Sequence, residues 1–484
     1  MEVKVQKKSL IKNAVFSALK TLTTILFPLI TYPYITRVLS VENIGKINFG
    51  QSVVSYFVLL AAFGISTYAV RNGSQIRDDK TSFSVFANEI FTINILTTVV
   101  SFCLLLIVLC LPTKIADYRT IILILSVSVL LTPIAVEWIY IINEDFGYIT
   151  LRSFIIHLLS LVLMFAFVKK EEDVLLYAAL TTMSTSLGNI FNFLHSRKYV
   201  RLRVTARPNW KVHKKSIQVF FINSIASTIY LNSDTTLLGI MKDDYAVGLY
   251  GVATKIYLIL KQLFNAIIAS TIPRLAYLKK TNESEFKDLI RNIISLVLFF
   301  TLPATVGIII LRKEIILLIS GEAYLGATST LAVLALAIFF AVMSNVFANG
   351  LLICLGREKK VVNATLVSAV SNIVLNLLFI PLLSQVGAAV TTLIAEITVF
   401  CMCLYFARDY VLQLFDRKAI FDALLGSAVL LVAGLCVYPQ VERFGLLLRI
   451  TIMIFIEVFL YASCMLLLRD KTIMMLFKLF KRKV

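Results

Sequence analysis

The sequence predicts an all-α membrane protein with about fourteen transmembrane helices and little mass outside the bilayer. Of the 484 residues, 59% are hydrophobic and only 15% are charged, whereas soluble domains have about 25% charged residues. A helix needs about 20 mostly apolar residues to cross a bilayer, and such stretches follow one another along nearly the whole chain. Because no soluble core could bury this much apolar surface, lipid must surround most of the chain.

Apolar windows separated by charged breaks define the individual spans. In chain order they are predicted at 14–36, 48–70, 84–111, 119–142, 149–168, 173–195, 216–240, 248–272, 289–311, 326–350, 361–381, 386–408, 419–438 and 445–468. The longest break joins the sixth and seventh spans and has about twenty residues, too few for a soluble domain. This excludes membrane enzymes that depend on a large domain outside the bilayer.

The distribution of lysine and arginine predicts the orientation of the chain. Short loops rich in these residues stay in the cytoplasm, and here such loops alternate with loops that have few of them. The pattern places both termini in the cytoplasm. Segment 1–13 has several lysines, and the apolar stretch after it is too long for the core of a signal peptide, so we expect no removable signal.

The formal net charge of +19 could indicate nucleic acid or a membrane surface as partner. The basic residues are spread over the predicted cytoplasmic loops, where anionic lipid headgroups also favour them. We therefore expect membrane lipids, and no nucleic acid, to interact with this charge. The densest basic run, 197–215, has no acidic residue and is predicted to link two groups of six spans.

No motif of a catalytic, cofactor or metal site occurs in the sequence. The phosphate-binding pattern G-x-x-x-x-G-K-[ST] and the zinc pattern H-E-x-x-H are both missing. The seven cysteines lie in apolar segments without a C-x-x-C pair, which predicts neither disulfides nor metal ligands. We expect no catalytic residue, no metal and no cofactor, with coupling to a proton or sodium gradient as an open alternative.

A glycine in matching positions suggests an internal repeat. Gly45 follows the first span and Gly248 follows the seventh, each just after a short outer turn. Parallel repeats of this kind are common in transporters, with the substrate path between the halves. The predicted domains are an N-terminal six-helix lobe at 1–207, a C-terminal six-helix lobe at 208–415, and two additional transmembrane helices with a basic cytoplasmic tail at 416–484.

Charged residues inside the predicted spans are the candidate functional residues. An ionisable side chain at bilayer depth costs about 2.5–3.5 kcal/mol on insertion scales, so it is expected to face a cavity or a partner. Lys261 lies near the middle of the eighth span, where its ammonium cannot reach either surface, and Glu396 lies at comparable depth in the twelfth. Either an aqueous cavity or a structural ion pair would account for Lys261.

Two further couples of opposite charge lie at matching depths. Asp234 and Lys255 are about two turns below the outer surface in consecutive spans, and Lys20 and Glu89 lie near the inner face. A structural ion pair explains each couple as well as a ligand site does. For Lys20 there is a third explanation, in which its stem stays in lipid while the ammonium reaches the headgroups.

The sequence thus offers two sets of candidate residues for a central cavity. A cationic set suits an anionic substrate such as a diphosphate, and consists of Lys20, Arg37, Arg71, Lys255, Lys261 and Arg274. An acidic set could bind a coupling ion, and consists of Glu89, Glu137, Asp234 and Glu396. For Arg71 and Glu137, which lie near the inner ends of their spans, a solvated helix end is the simpler explanation.

Several local strings occur in the order and spacing of a known family. They are Phe63-Gly64-Ile65 with Arg71 and 76–80, Glu137-Trp138 with 148–150, 234–239 with 247–250 and 272–274, 355–359, 372–381, and 387–389. Together they resemble the O-antigen and polysaccharide repeat-unit flippases (Wzx type) of the multidrug/oligosaccharidyl-lipid/polysaccharide exporter superfamily. The resemblance covers roughly residues 10–410, and the last two spans match only in number and hydrophobicity.

This resemblance implies two pseudo-symmetric six-helix lobes around a cavity that opens alternately to each side of the bacterial inner membrane. It implies translocation of undecaprenyl-diphosphate-linked oligosaccharide repeat units from the cytoplasmic to the periplasmic face, for O-antigen or capsule biosynthesis. Cationic residues would neutralise the diphosphate, and a polysaccharide polymerase and chain-length regulator would be partners. Arg37 lies at a span edge here, so its place in the cavity stays open.

Two other functions also stay open. A cation-coupled multidrug exporter would have the same fold, although cationic cavity residues disfavour organic cations as cargo. A membrane-embedded glycan polymerase or ligase would need a sizeable outer domain or an outer catalytic cluster, which the short loops do not provide.

Overall fold

The computed structural model describes residues 10–475. Within this range the chain forms helices joined by short connections and has no strand. It divides into two compact units, Met1–Gly248 and Leu249–Val484, which are described separately. The lysine-rich segment before residue 10 and the basic tail after residue 475 lie outside the described residues, so their cytoplasmic placement stays a prediction.

The first unit contains a series of helices of very different length. They are α1 (Leu10–Val38), α2 (Val41–Ala62), α3 (Ile65–Ile76), α4 (Lys80–Cys110), α5 (Arg119–Leu125), α6 (Val127–Leu130), α7 (Glu137–Ile142), α8 (Phe146–Phe167), α9 (Val174–Ser196) and α10 (Trp210–Met241). Short 3₁₀ turns occur at Lys114–Tyr118, Pro133–Ala135 and Glu171–Asp173.

The second unit begins within α11, whose first turn belongs to the first unit. Its helices are α11 (Asp244–Thr281), α12 (Glu283–Ile310), α13 (Arg312–Ile319), α14 (Thr328–Asn345), α15 (Glu358–Phe406), α16 (Arg408–Leu414), α17 (Arg417–Val441) and α18 (Leu446–Leu467). A 3₁₀ turn at Glu322–Ala327 precedes α14, and a π-helical segment at Val346–Leu352 follows it.

Each predicted span overlaps one or more of these helices, with ends that differ by up to nine residues. Among the described residues, eleven helical segments are long and apolar enough to cross a membrane. The predicted fold class, an all-α membrane protein, is confirmed, and the chain is a multi-pass membrane protein. The count of fourteen spans stays a prediction, because 119–142 and 216–240 are not among these segments and 361–381 and 386–408 share one of them.

The fourth predicted span, 119–142, is broken into short helices. The 3₁₀ turn Pro133–Ala135 separates α6 from α7, and proline has no N–H to donate to the preceding turn. Val136 then has φ −1° and ψ 28°, outside the helical region. A freed backbone acceptor finds a side-chain partner, because Asn192 Nδ2 of α9 donates to the Ala135 carbonyl oxygen at 3.0 Å. This contact satisfies irregular backbone at membrane depth.

The eleventh and twelfth predicted spans, 361–381 and 386–408, are joined almost without a loop. Both lie in α15, and Ser384 between them has φ 51° and ψ −131°, so two helices meet there at a kink. A Cβ on Gly387 would lie 2.3 Å from the carbonyl oxygen of Phe379. Glycine at position 387 therefore allows the chain to fold back closely on itself.

The seventh predicted span lies in α10, which is rich in serine, threonine and asparagine and is therefore less apolar than its neighbours. Ile217 of α10 is fully buried in the core of the first unit, together with Tyr68, Ile90 and Ile139. By its contacts α10 belongs to the first unit, which ends at Gly248. The lobe boundaries expected from the repeat, after residues 207 and 415, stay predictions.

The two glycines that suggested the repeat lie at a close backbone contact within the first unit. A Cβ on Gly45 would lie 1.8 Å from the carbonyl oxygen of Asp244, and a Cβ on Gly248 would lie 2.1 Å from that of Val41. The beginning of α2 and the first turn of α11 therefore touch backbone to backbone. Any side chain at either glycine would push them apart.

The core of the second unit includes the last two helices of the described chain. Phe299 of α12 packs against Tyr461 of α18 with ring centroids 5.2 Å apart. Leu430 of α17 and Met453 of α18 are buried in the same cluster. The helices α17 and α18 are thus packed onto α12 by an apolar core.

Candidate functional site

A buried ion pair in the second unit joins α11 to α15. Lys261 Nζ lies 2.5 Å from Glu396 Oε1. Tyr257, one turn before Lys261, donates its hydroxyl proton to the same carboxylate oxygen at 2.6 Å. The Lys261 ammonium also lies 3.1 Å from the Tyr257 hydroxyl oxygen. Residues four apart lie on one helix face, so α11 presents both donors to Glu396.

The burial of this pair determines whether the Lys261 ammonium can bind another anion. Glu396 is 2% exposed, while the Lys261 side chain keeps 19% of its surface exposed. Removing one partner from a buried pair leaves an uncompensated charge, which costs about 3–5 kcal/mol. The Lys261 ammonium can therefore bind another anion in two ways. Either that anion takes the place of Glu396, or a cation bound to Glu396 neutralises the carboxylate.

The first unit has a second cluster, centred on Glu137 at the start of α7. Its carboxylate accepts hydrogen bonds from Lys20 of α1 and from Arg152 Nη2 of α8 at 3.0 Å. The Arg152 side chain is 11% exposed, and the other two are about one-third exposed. Two cations on one carboxylate leave the cluster with an excess positive charge.

The predicted partnership of Lys20 with Glu89 is wrong, because each residue has another partner in the structure. Lys20 binds Glu137, whereas Glu89 Oε2 lies 2.9 Å from Nε2 of His213. The Tyr68 hydroxyl lies 2.7 Å from Nδ1 of the same imidazole. Glu89 therefore connects α4 to α10 through a buried histidine.

The remaining candidates are more dispersed. Asp234 is buried in the first unit at 6% exposure, and Lys255 belongs to the second unit, so their pairing stays a prediction. Arg37 is exposed at the end of α1 and donates to the Pro33 carbonyl oxygen at 2.5 Å. The other two exposed candidates are Arg71 and Arg274. None of these placements tests a role in binding substrate or a coupling ion.

Another buried ion pair of the second unit was not predicted from the sequence. Arg449 Nη1 of α18 lies 3.0 Å from Oε1 of Glu314 in α13, and the Tyr438 hydroxyl of α17 donates to that oxygen at 2.6 Å. Glu314 is fully buried.

The sequence also did not identify Tyr257 and Arg152 as members of these clusters. The four-residue spacing of Tyr257 and Lys261 could have revealed the former, but no sequence signal connects residues as distant as Glu314 and Arg449.

The described residues contain no group of three or more histidine, cysteine, aspartate or glutamate side chains that could hold a metal ion. What the two units do contain is a set of charged side chains, held at membrane depth and neutralised by partners on other helices. Many apolar spans and a few paired charges among them are typical of a membrane transporter.

Residues 10–279 match the family described as polysaccharide biosynthesis protein. The match covers more than half of the 484 residues, and the chain belongs to this family.

Named relatives agree with this membership. The chain is 23% identical over 427 residues to a protein of Escherichia coli (strain K12) named as an O-antigen transporter, a match that covers 83% of this chain and 98% of the relative. It is 20% identical over 408 residues to the capsular polysaccharide biosynthesis protein CapF of Staphylococcus aureus, covering 82% of this chain and 99% of CapF.

Solved structures show the same fold. The lipid II flippase MurJ in an inward closed conformation has a TM-score of 0.74 at 19% identity, covering 95% of this chain and 99% of that chain. An inward-facing multidrug resistance transporter of the MATE family has a TM-score of 0.57 at 14% identity, covering 80% of this chain and 98% of that chain. The family match and the named relatives confirm the resemblance to repeat-unit flippases and the expectation of a transporter, and the solved structures confirm the fold.

Proposed function

We propose that the protein translocates undecaprenyl-diphosphate-linked oligosaccharide repeat units from the cytoplasmic to the periplasmic face of the bacterial inner membrane. Translocation would proceed by alternating access and serve the synthesis of O-antigen or capsule. The observation that supports this most is the Lys261–Glu396 pair, in which a lysine near the middle of a span contacts one buried carboxylate. The names of the E. coli and S. aureus relatives support the class of cargo.

The pair offers a physical link between cargo and coupling ion. In a medium of low dielectric constant, the Lys261 ammonium needs an anion beside it at every stage. A proton or sodium ion bound to Glu396 would neutralise the carboxylate and release the ammonium. The diphosphate of the cargo could then take the place of Glu396, so ion binding on Glu396 would favour diphosphate binding on Lys261.

The first-unit cluster would assist with its excess charge. Because Glu137 has two cationic partners, Lys20 could turn to a phosphate while Arg152 still neutralises the carboxylate. Arginine and lysine both bind phosphate oxygens through charge-assisted hydrogen bonds. Arg37, Arg71, Lys255 and Arg274 stay candidates for later contacts with the cargo. Asp234 and Glu89 stay candidates for ion coupling.

Deletion of the gene in its bacterial host tests the proposal. We expect surface polysaccharide to be lost while lipid-linked repeat units accumulate on the cytoplasmic side, and a plasmid copy to restore both. The accumulated units are assayed by enzymatic labelling of glycan in inside-out and right-side-out vesicles. Normal surface polymer in the deletion strain, in the absence of a paralogue, would refute the proposal.

Two further measurements separate the alternatives. A multidrug exporter would change the inhibitory concentration of organic cations in an overexpressing strain without affecting surface polymer. A glycan polymerase or ligase would extend lipid-linked units in vitro as a purified chain. We expect neither effect. If surface polymer is normal in the deletion strain, a changed inhibitory concentration would identify a multidrug exporter, and extension of lipid-linked units would identify a polymerase or ligase. Loss of polymer length alone, with units still reaching the periplasm, would place the polymerase or chain-length step, and not translocation, in this chain.

A further inference from the structure

A cavity lined by three arginines lies where α9 ends and the chain leads into α10. Its volume is about 500 Å³, and its lining residues are Phe193, Ser196, Arg197, Arg201, Leu202 and Arg203. All six belong to the first unit. The cavity, here called the arginine pocket, lies in the basic run 197–215, which is predicted to be cytoplasmic.

The positive charge of the arginine pocket is not neutralised by the nearby acidic residue. Asp145 Oδ2 lies 3.7 Å from the Lys198 ammonium and accepts the Tyr199 hydroxyl proton at 2.6 Å. None of the pocket's three arginines makes an ion pair with an acidic side chain in the described part of the chain. The pocket therefore presents three guanidinium groups to an anion from outside the protein.

The backbone around the pocket is fixed to α4, so the arginines are displayed from an ordered segment. Phe193 stacks on Phe91 of α4 with ring centroids 5.7 Å apart. Three backbone N–H groups of the segment donate to side chains of α4: Arg203 to Asn88 at 2.8 Å, Thr205 to Thr92 at 2.8 Å, and Asn209 to Glu89 at 3.2 Å. A fixed backbone reduces the conformational entropy lost when a ligand binds.

The lining identifies the chemistry of the ligand. Guanidinium groups present planar, paired donors that match the oxygens of phosphate. Phe193 and Leu202 add apolar surface beside them. On the last turns of α9, Phe191 and Leu194 are 48% and 51% exposed, as expected where a helix faces lipid. The neighbourhood suits a molecule that joins a phosphate to a hydrocarbon chain.

We propose that the arginine pocket binds the phosphate headgroup of a membrane lipid. Two sources share this chemistry: the diphosphate of a prenyl-linked lipid and the headgroup of an anionic phospholipid. None of the lining residues belongs to the Lys261–Glu396 or Lys20–Glu137 cluster, and the proposal holds whether or not the chain translocates a glycolipid.

Binding measurements on the full chain test the proposal. The purified protein in phosphatidylcholine nanodiscs is titrated with farnesyl diphosphate and, separately, with a short-chain fluorescent phosphatidylglycerol. Replacing the three pocket arginines by glutamine (R197Q, R201Q and R203Q together) is expected to weaken binding of at least one probe by about tenfold. The probe whose binding weakens more identifies the source.

A second triple variant controls for charge. Arg207, Lys211 and Lys214 are exposed residues of the same basic run outside the pocket, and R207Q, K211Q and K214Q together remove the same charge. This variant should change binding by less than about twofold, because none of its three residues lines the arginine pocket. Equal weakening in both variants would show a diffuse basic surface and overturn the proposal.

Two further outcomes would also overturn it. If neither probe loses affinity in the pocket variant, the arginines bind no phosphate headgroup. If inorganic diphosphate displaces the fluorescent lipid as effectively as farnesyl diphosphate does, the site recognises a free anion and not a lipid. Both triple variants are compared with wild type by gel filtration and unfolding temperature. Should the pocket triple fail to fold, R201Q alone decides, with an expected loss of about threefold.

Discussion

The ammonium nitrogen of Lys261 lies 2.5 Å from the carboxylate oxygen Oε1 of Glu396, a residue that is 2% exposed. In such a place the pair can have a structural role, a transport role, or both. Variants of each partner distinguish these roles. When Lys261 is replaced, Glu396 keeps a hydrogen bond from the Tyr257 hydroxyl but has no cation beside it.

Lys261→Ala should impair polysaccharide export more than Lys20→Ala does. The first change leaves Glu396 without a cation, whereas the second leaves Glu137 paired with Arg152. We expect surface polymer to fall by about tenfold or more for Lys261→Ala, the size that loss of one charged contact produces. Polymer is measured in a complemented deletion strain and normalised to the protein present in the membrane. Full function of both variants would refute a role for these residues in binding cargo.

The double variant Lys261→Met with Glu396→Gln tests whether the pair is only structural. Replacing both partners of a buried pair by uncharged groups of similar size is often neutral or stabilising. We therefore expect membrane protein levels and unfolding temperature near those of wild type, but export as low as in Lys261→Ala. Restored export in the double variant would show that the pair serves stability alone.

Arg449→Ala should destabilise the second unit, because it leaves the buried carboxylate of Glu314 without its cationic partner. Loss of one partner from a buried pair costs about 3–5 kcal/mol, which should appear as a lower unfolding temperature in detergent. Arg443→Ala is the matched control, since Arg443 is exposed a few residues earlier and lies only over the ring of Phe444. Equal unfolding temperatures for the two variants would contradict the importance of the buried pair.

Glu457→Gln should be tolerated, while Glu457→Lys should not. Glu457 is 8% exposed in the middle of α18, and its Oε1 makes no hydrogen bond to any described residue. A Cβ on Gly307 would lie 2.7 Å from Oε2, so the carboxyl group packs directly against α12 at this glycine. An amide fits this space without charge, whereas a longer cation would cost several kcal/mol. A large loss of protein from membranes with the glutamine variant would show that the carboxyl group itself is required.

Asp416 should contribute stability that depends on pH. It caps α17, because Oδ1 accepts the N–H of Lys418 at 3.0 Å, and Oδ2 accepts a hydrogen bond from Lys471 at 2.8 Å. The hydrogen bond from Lys471 is the main reason that the pKa of the Asp416 carboxyl lies below its ordinary value of 3.8. Because the folded-state pKa is the lower one, this stabilisation is complete above the unfolded-state value and is lost as the pH falls through the folded-state value.

Asp416→Asn should therefore unfold at a slightly lower temperature at neutral pH and show a smaller change than wild type on acidification. The expected loss is at most about 1 kcal/mol, since Lys471 is largely exposed. Asp416→Ala should cost about 1 kcal/mol more, because it also removes the cap. Asp78→Asn, at a side chain 84% exposed, is the control. An unchanged pH profile in Asp416→Asn would contradict the assignment.

Composition and hydropathy were sufficient to predict the fold class, because lipid imposes long apolar helices on any chain that crosses it. They could not predict breaks inside a span. The 3₁₀ turn at Pro133–Ala135 depends on a partner from α9. The kink at Ser384 depends on a positive φ, which the residue type at this position does not predict. Hydropathy therefore predicts where the spans lie but not how many separate helices they form.

Depth along a span suggested partners for two lysines but could not decide between an ion pair and another role. Lys261 and Glu396 lie at equal depth and do meet. Lys20 lies at the depth of both Glu89 and Glu137, and it binds Glu137. Depth leaves the lateral neighbours of a helix undetermined, since these follow from the order in which the helices pack. That order is a property of the folded chain and not of any single span.

The two helices α17 and α18 follow the predicted twelve-helix repeat, but Glu314 of α13 now depends on both of them, through Tyr438 and Arg449. This dependence makes the last helices hard to lose in evolution. A chain shortened after α16 would keep an ionisable group in an apolar setting with neither of its partners. Truncation would become viable only after position 314 had changed to an uncharged residue, so ancestors or homologues with twelve helices should lack an acid there.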